Sequence, residues 1–354
     1  MTLRFVLVWL EWPEKCFRVD AEALRYLQSL LPKGAKVVRA RSEAGFLKAL
    51  PQATHVLTWH FKAEWYALAK KARLVATPAA GRELVSEAAP KGVKVHFGGF
   101  HGPLIAESVL GFLLAWAHGF FAVRQAPVGW PRAWLSDKCY TLAGTRAVIV
   151  GYGRIGRAIG ARLAALGVEV FGLTRHGVFG PDGRLLSDNL SISQSLGRTI
   201  EQSNNRTIDQ SNNSLNRPID QSTNRTIEHL NIRTFLSSCD WLILALPSTT
   251  GTDDFLDAKL IAKLPRRCVV VNVGRGNAVD EAALVKALRS GRLAGAYLDV
   301  CKTEPTAVKR RVKGLAIDPL DPQVPHLVLM PHSCAFAPQY LKMFFKELKD
   351  EGLV

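Results

Sequence analysis

Paired cysteines are missing from this sequence. Its six cysteines are scattered, and no two of them form a CxxC pair. They are Cys16, Cys139, Cys239, Cys268, Cys301 and Cys334. Structural zinc sites and disulfide frameworks both need regularly spaced cysteines, so the spacing argues against either. Scattered thiols suit a reducing compartment, and we expect a cytoplasmic protein that holds no metal.

Long apolar runs are also scarce. Residues 3–10 are apolar, but they are too few for a signal peptide and Glu11 follows at once, so we expect a core strand there. Residues 104–123 nearly match a membrane span in length, yet Glu107 and His118 interrupt them. We expect this second segment to be a buried helix between two domains, and we expect no membrane contact.

Acidic residues are outnumbered by basic ones, 30 to 46, which gives a formal net charge of +16. Such a charge raises the question of nucleic-acid binding. The sequence contains no helix-turn-helix, zinc finger or RNP-like motif, and its densest basic run, residues 309–313, lies in a loop-like segment. We therefore expect no nucleic-acid partner, and we interpret the charge as solvated surface that attracts anionic small molecules.

Short apolar strands alternate with helical patterns over the first hundred residues. The predicted strands cover residues 4–10, 36–38, 55–58, 74–76 and 93–97. The predicted helices, 21–31 and 42–50, begin at the capping residues Asp20 and Ser42. This alternation predicts a parallel sheet with helices on both faces. At 354 residues the chain is long enough for a second domain of the same kind.

The most informative motif is AVIVGYGRIG at residues 147–156. A β-branched strand leads into a GxGxxG turn, and a helical pattern follows it. Gly151 permits the tight turn, Gly153 lets the backbone approach a pyrophosphate, and Gly156 lets the helix pack on the strand. The N-terminus of that helix attracts phosphate. The motif predicts a dinucleotide site in a Rossmann domain.

The end of the next predicted strand, residues 168–173, bears on the choice of cofactor. NAD-binding versions place Asp or Glu there, about 20 residues along, to bind the ribose 2′-hydroxyl. Here Thr174 and Arg175 occupy that position. No carboxylate repels a 2′-phosphate, and Arg175 can pair with one, so the sequence favours NADP over NAD. The alternative is that Arg175 is a solvated loop residue.

Three polar side chains follow strands of the same predicted sheet. Its later strands are expected at residues 241–245, 268–273, 295–300 and 326–330. Arg275, Glu304 and His332 each come shortly after one of these strands. A doubly wound sheet binds its ligands at the carboxyl ends of its strands. Each residue alone could be an ordinary surface group, but behind a dinucleotide motif they form a coherent acid–base site.

Residues 186–231 do not fit the alternation. From Arg198 the chain repeats Asn-rich units of the type RTIEQSNN, which are too short for a solenoid repeat. We interpret 186–231 as a repeat-expanded, mobile insertion in a surface loop. The alternative is a short β-structured segment that binds a partner.

Taken together, these motifs resemble the D-isomer-specific 2-hydroxyacid dehydrogenases. The matching elements are AESVLGFLLA around Glu107, GYGRIG, LPSTTGT at 246–252, VNVGRG at 271–276, LDV with the later EP, and PH at 331–332. The resemblance implies an α/β protein of two doubly wound parallel-sheet domains. Residues 1–103 and 333–354 would form a flavodoxin-like substrate domain, and residues 104–332 a Rossmann cofactor domain that contains the insertion. It also implies a homodimer.

The resemblance further implies an NAD(P)-dependent enzyme that acts on the CH–OH group of a small anionic 2-hydroxy acid. In the reverse direction it would reduce the corresponding 2-keto acid, as glyoxylate/hydroxypyruvate reductases do. His332 would exchange a proton with the C2 oxygen, and Glu304 would orient His332 and raise its pKa. Arg275 would bind the substrate carboxylate and polarise the carbonyl. Backbone N–H groups at Ala80 and Gly81 would also bind the carboxylate.

The cofactor would lie along the second domain. Asp299 would contact the nicotinamide carboxamide. The other expected cofactor contacts are Gly151, Gly153, Arg154, Ile155, Gly156, Thr174, Arg175, Leu246, Pro247, Thr252 and Val273. Two alternatives stay open at this point. One is a dinucleotide-sensing binding protein like the corepressor relatives of this family, and the other is an inactive family member.

Overall fold

The structure is a computed structural model that describes residues 5–187, 235–304, 316–317 and 324–354. The chain divides into two compact units. The first consists of Met1–Leu104 and Ala335–Val354, and the second of Ile105–Cys334. Most of the predicted 186–231 insertion lies outside the described residues.

The strands and helices alternate along the chain. The strands are β1 (Phe5–Trp9), β2 (Lys36–Arg39), β3 (His55–Thr58), β4 (Leu74–Thr77), β5 (Lys94–Phe97), β6 (Arg146–Val150), β7 (Glu169–Thr174), β8 (Gly177–Phe179), β9 (Leu185–Ser187), β10 (Trp241–Leu244), β11 (Val269–Asn272), β12 (Gly295–Leu298) and β13 (Leu327–Leu329). The helices are α1 (Ala21–Leu30), α2 (Glu43–Ala49), α3 (Gly102–Ala117), α4 (Arg132–Ser136), α5 (Arg154–Ala165), α6 (Ala258–Ile261), α7 (Glu281–Arg289) and α8 (Tyr340–Asp350). Within the described ranges, no helix has both the length and the apolar character that crossing a bilayer requires.

The first unit is built on a parallel sheet in the order β2-β1-β3-β4-β5, which is the flavodoxin-like order. Both faces of the sheet are buried. Val6 and Val8 pack with Phe344 on one face, whereas Leu7 packs with Phe46 on the other. Strands buried on both faces read as continuous apolar runs, which explains why FVLVW in β1 was recognisable from its sequence.

Local capping fixes the helices of this unit. Asp20 accepts the Ala23 N–H at the start of α1, and Ser42 accepts the Gly45 N–H at the start of α2. Both predicted caps are confirmed. Helix α8 comes from the end of the chain and packs against α1, so the C-terminal segment completes the first unit.

The second unit contains the sheet β13-β12-β11-β10-β6-β7-β8-β9. Its strands are parallel from β13 to β7, and β8 and β9 are antiparallel. The chain leaves β6 toward β7 and returns to the opposite side of β6 at β10, so the strand order reverses between β6 and β10. Ligands of doubly wound sheets bind at such a switch point, outside the carboxyl ends of the strands.

Helix α3 is shorter than the sequence suggested. It ends at Ala117, whereas the apolar run predicted a helix to about residue 123. Gly119 has a φ of 70°, its N–H donates to Trp116 O, and the Phe120 N–H donates to Ala115 O at 2.9 Å. This is a Schellman motif, in which a left-handed glycine ends the helix however apolar the following residues are.

The first two residues of the predicted 186–231 insertion form part of a strand. Leu186 and Ser187 belong to β9, which pairs with β8, and β8 pairs back on β7. Val178 is buried in the core and Leu186 packs against it, so the hairpin buries apolar surface that a solvated loop would expose.

Candidate active site

Parallel strands bring the predicted residues of the second unit to one edge of its sheet. Each residue of this set lies at or just after the carboxyl end of a strand. The set is Gly151 after β6, Thr174 at the end of β7, Leu246 after β10, Arg275 after β11, Asp299 after β12 and His332 after β13. This edge contains the switch point between β6 and β10, where a ligand site is expected.

The turn after β6 leaves room for a phosphate. Gly151 has a φ of 92°, and a Cβ there would lie 2.5 Å from Ala245 O, so the turn admits no side chain. Gly153 is the N-cap of α5, and a Cβ there would meet no atom within 4 Å. No side chain caps the first turn of α5, which starts at Arg154. Its amide groups and the open space at Gly153 therefore fit the pyrophosphate of a dinucleotide.

The end of β7 is a tight hairpin turn. Thr174 pairs with Gly177, so Arg175 and His176 form the two-residue connection. The Thr174 hydroxyl accepts the His176 N–H at 3.1 Å and donates to Gly177 O at 3.2 Å. Arg175 Nε donates to His176 Nε2 at 2.9 Å, and both side chains are exposed. The turn presents a cationic side chain beside the switch point, and no carboxylate stands within it.

His332 and Glu304 form a pair at the end of the sheet. His332 Nδ1 lies 2.9 Å from Glu304 Oε2, with the side chains 48% and 42% exposed. The His332 backbone has a φ of 53°, an uncommon conformation for a residue with a Cβ, and its N–H donates to Asp299 O at 2.9 Å. Strained backbone of this kind is typical of functional sites, where neighbouring contacts hold it.

The charge of Glu304 changes the acidity of His332. The hydrogen bond that the His332 ring donates to Glu304 raises the pKa of His332 above its ordinary value, and the negative charges of Glu304 and Asp299 add to this. Burial and the positive charge of Arg275 lower the pKa of His332, but their effects are smaller than that of the Glu304 bond. The imidazolium therefore persists to higher pH than it does in a free histidine.

Asn272 supports Arg275 and was not predicted from the sequence. Asn272 is fully buried, its Nδ2 donates to Arg275 O at 3.0 Å, and its Oδ1 accepts the Gly274 N–H at 3.1 Å. Arg275 Nη1 donates to Gly274 O at 3.0 Å. A polar residue at the end of the apolar strand VVVN was the signal in the sequence, because a buried amide needs partners.

One carboxylate oxygen of Asp299 has no hydrogen-bond donor among the described residues. Its Oδ1 accepts the N–H groups of Ser333 and Cys334 at 2.9 and 3.1 Å. Its Oδ2 is buried and has no hydrogen-bond partner among the described residues. A buried carboxylate oxygen without a donor is costly. The amide N–H of a nicotinamide carboxamide is a donor that fits this atom, so the site suits the cofactor that the Gly151–Gly153 turn suggests.

Comparison with known proteins finds a family similarity in the second unit. Residues 192–334 match the family described as D-isomer specific 2-hydroxyacid dehydrogenase, NAD binding domain. This part of the second unit is therefore similar to the NAD-binding domain of the D-isomer-specific 2-hydroxyacid dehydrogenases.

Individual relatives agree with this family. The chain is 24% identical to glycerate dehydrogenase of Methylorubrum extorquens over 294 residues, which cover 78% of this chain and 74% of the relative. A solved D-isomer specific 2-hydroxyacid dehydrogenase from Lactobacillus delbrueckii, in its NAD complexed form, superposes with a TM-score of 0.67 at 16% identity, over 99% of this chain and 96% of that one.

A second solved structure is an NADPH-dependent glyoxylate/hydroxypyruvate reductase from Sinorhizobium meliloti, in complex with NADP and malonate. It superposes with a TM-score of 0.59 at 22% identity, over 98% of this chain and 92% of that one. These likenesses confirm the predicted two-domain, doubly wound α/β fold. All three relatives are named as dehydrogenases or reductases, which lends no support to a dinucleotide-sensing binding protein.

The loop after β10 carries three of the expected cofactor residues. The Thr252 hydroxyl donates to Pro247 O at 2.7 Å and accepts the Thr249 N–H at 3.0 Å, so Pro247 and Thr252 are held together. Leu246 precedes them and is half-buried. Val273 differs from these residues, because its side chain is buried in the second unit and its N–H donates to Leu244 O at 3.0 Å.

Ala80 and Gly81 lie in the first unit, after β4. Ala80 is exposed and Gly81 is half-buried, and neither amide donates to an acceptor within the described part of the chain. The preceding amide, of Ala79, donates to the Thr77 hydroxyl at 3.2 Å. Two adjacent amides thus remain available to an anion.

His96, Glu347 and Glu351 also cluster in the first unit, within reach of a shared cation. His96 Nε2 lies 3.4 Å from Glu347, whereas His96 Nδ1 lies 3.4 Å from Glu351. Glu347 also accepts the Gly99 N–H at 2.9 Å. The two carboxylates face different ring nitrogens and do not converge on one, so these contacts account for the cluster without a metal.

Proposed function

We propose that this chain is an NAD(P)-dependent 2-keto acid reductase and D-2-hydroxyacid dehydrogenase that uses His332 as its acid and base. The observation that carries the proposal is the His332–Glu304 contact at 2.9 Å, on the sheet edge that also bears the Gly151–Gly153 turn. A raised histidine pKa beside a dinucleotide-binding turn suits reversible proton transfer during hydride chemistry.

His332 exchanges the proton at the substrate oxygen. Its Nδ1 is engaged by Glu304, so Nε2 is the atom for the C2 oxygen of the substrate. In reduction the imidazolium donates a proton to that oxygen, and in oxidation the neutral ring removes it. The nicotinamide, when bound, supplies the hydride to C2 for reduction and accepts it for oxidation. Glu304 fixes the ring orientation and stabilises the charged form.

Arg275 binds the substrate carboxylate and polarises its carbonyl, since a guanidinium stays charged and offers a planar set of donors. Asn272 fixes the backbone that carries it. We assign the adjacent amides of Ala80 and Gly81 to the substrate carboxylate as well. Accordingly, we assign the first unit to substrate binding and the second to the cofactor.

The geometry of the second unit supports an assignment of the residues that hold the cofactor. The Gly151–Gly156 turn and the first amides of α5, at Arg154 and Ile155, bind the pyrophosphate. Asp299 Oδ2 accepts the carboxamide N–H. The 246–252 loop, with Leu246, Pro247 and Thr252, lines the cofactor, and Val273 supports this edge from the core.

NADP is the preferred cofactor in this proposal. Arg175 is exposed at the β7 turn, and the Thr174 hydroxyl and His176 lie beside it. A 2′-phosphate there gains a charge-assisted contact with Arg175 and meets no repelling carboxylate within the turn.

We also propose that the protein is a homodimer. Phe120, Val128 and Trp130 lie close together in the sequence after α3, and the side chains of Phe120 and Trp130 are 66% and 86% exposed. Several large, exposed apolar side chains in one short segment are typical of a segment that contacts another protein. A second copy of the chain is the partner that the family resemblance implies.

The direct test is steady-state reduction of a panel of small 2-keto acids with NADPH and with NADH. We expect turnover of at least one 2-keto acid, with NADPH preferred. His332→Ala should lower kcat by about 10²- to 10⁴-fold and leave NADPH binding nearly unchanged. His118→Ala, at an exposed histidine after α3, is the control and should keep full activity. Lost NADPH binding in His332→Ala, or no turnover by the unaltered chain, would contradict the proposal.

A further inference from the structure

Two groups outside the acid–base pair anchor the loop that carries Glu304. The main-chain N–H of Lys302 donates to Glu281 Oε1 at 2.6 Å. The ammonium of Lys302 pairs with Asp254 at 2.5 Å. Lys302 is two residues before Glu304, so these contacts fix the backbone from which the Glu304 side chain reaches His332.

The burial of Glu281 is unusual for a glutamate. Only 6% of the residue is exposed, and burial raises the pKa of its carboxyl group while the amide and ammonium of Lys302 lower it. Glutamate is seldom buried unless it is paired. Glu281 stands in the first turn of α7, but Asp280 already caps that helix by accepting the Ala283 N–H at 3.0 Å. The Glu281 carboxylate is therefore not needed as the cap of α7.

The same peptide touches the turn that carries Arg275. A Cβ at Gly276 would lie 2.0 Å from the carbonyl carbon of Cys301 and 2.5 Å from the Lys302 nitrogen. The Cys301–Lys302 peptide thus rests directly on Gly276, next to Arg275. Any movement of this peptide shifts the loop of Glu304 against the turn of Arg275.

The acid–base pair cannot hold this loop in place by itself. His332 and Glu304 are nearly half exposed. Exposed ion pairs contribute little to the free energy of a conformation, because water screens them and ordering the side chains costs entropy. The contact between the Glu281 carboxylate and the Lys302 N–H is buried and therefore better shielded from water. It fixes the backbone position from which the Glu304 side chain extends.

We propose that Glu281 is a positioning residue for the acid–base pair: it holds the Cys301–Lys302 peptide against Gly276 and thereby keeps Glu304 within hydrogen-bond distance of His332. The inference rests on the proposed function only in its expected effect on kcat. The distance between Glu304 and His332, and the titration of His332 that depends on it, do not require a substrate.

The test compares Glu281→Ala, Glu281→Gln and, as the matched control, Asp280→Ala. His332 is titrated by NMR of histidine-labelled protein, with His332→Asn assigning its signal. In parallel, the pH dependence of kcat is measured with glyoxylate and NADPH. We expect Glu281→Ala to lower the pKa of His332, to lower kcat about tenfold and to change NADPH binding less than about twofold. Glu281→Gln keeps an acceptor for the Lys302 N–H and should recover most of the kcat and of the His332 titration.

Asp280→Ala removes the cap of the same helix and should lower the melting temperature while leaving the His332 titration in place. If Glu281→Ala unfolds at the assay temperature, Glu281→Leu, which fills similar space without an acceptor, takes its place. Three results would each overturn the inference. The first is an unchanged His332 titration in the Ala or Leu variant of Glu281, and the second is an equal loss of kcat in the Ala and Gln variants. The third is the same shift of the His332 pKa in Asp280→Ala. If the unaltered chain turns over no keto acid, the proposed function fails, and the NMR titration still decides the role of Glu281.

Discussion

In the proposed mechanism, Glu304 sets the pH range in which His332 acts as an acid. The hydrogen bond that His332 donates to Glu304 is the largest cause of the raised His332 pKa. In the proposed reaction, keto acid reduction consumes the imidazolium, so we expect its rate to be highest at low pH and to fall as pH rises through that raised pKa. The reverse oxidation needs the neutral ring, so its rate rises over the same interval.

Glu304→Gln keeps the shape of this side chain and removes its charge. We expect the alkaline limb of reduction to move to lower pH, and the rising limb of oxidation to move with it, because the pKa of His332 falls. We also expect kcat to fall about 10- to 100-fold, less than the loss from removing the acid itself. Profiles of kcat against pH in both directions measure this, and limbs that do not move would show that Glu304 does not control the acid.

Arg175 should decide between the two cofactors. Arg175→Ala removes the one cation of the β7 turn, and a lost charge-assisted contact should raise the KM for NADPH about 10- to 100-fold. NADH has no 2′-phosphate, so its KM should change little. Arg184→Ala is the control, because Arg184 is an exposed arginine that pairs with Asp182 before β9. Equal changes for NADPH and NADH in Arg175→Ala would refute the assignment.

At the residue scale, candidate site residues could be predicted because each of them follows a predicted strand. Arg275, Glu304 and His332 could be found in this way, since parallel strands share one carboxyl edge. Asn272 and Glu281 could not be assigned a role, because what a buried polar residue does depends on which backbone groups meet it in three dimensions. The left-handed backbone conformation of His332 could not be predicted either, since no residue of the segment MPHS indicates it.

The turn between β6 and α5 depends on glycines for two separate reasons. A Cβ at Gly156 would lie 2.5 Å from Gly151 O, whereas a Cβ at Gly153 would meet nothing within 4 Å. Gly156 therefore serves the packing of the helix on the turn, and Gly153 leaves open the space that we assign to the phosphate.

Substituting these two glycines should separate folding from binding. Gly153→Val should lower the melting temperature only slightly, by the cost of a β-branched N-cap, and abolish saturable binding of both NADH and NADPH. Gly156→Ala should lower the free energy of unfolding by about 1–3 kcal/mol through overpacking. Thermal melts and fluorescence titrations of each variant measure the two effects. A Gly153→Val protein that binds cofactor normally would show that the phosphate lies elsewhere.

At the element scale, most strands were predictable because they are short, apolar and bounded by turn residues. The strand β3 was predicted with its observed limits, His55–Thr58. The end of α3 was missed, because apolar residues continue past the glycine that stops the helix. The β8–β9 hairpin was missed because Rossmann alternation leads one to expect a helix after β7, whereas Gly177 returns the chain antiparallel to β7.

At the scale of the whole molecule, the exposed segment after α3 predicts how copies of the chain associate. Trp130 is 86% exposed, and tryptophans at protein interfaces commonly contribute about 2 kcal/mol or more to binding. Trp130→Glu places a charge where the partner's apolar surface would pack, so we expect the dimer dissociation constant to rise about 30-fold or more. Light scattering across a dilution series measures this shift toward monomer.

The matched control for Trp130→Glu is Leu68→Glu, which places the same charge at a 43% exposed leucine of the first unit. This variant should stay dimeric, because Leu68 is not part of the segment after α3. NADPH binding should survive in Trp130→Glu, since every residue assigned to the cofactor belongs to the second unit of the same chain. A protein that is monomeric before any substitution, or a Trp130→Glu protein that stays dimeric on dilution, would show that this segment is not the interface.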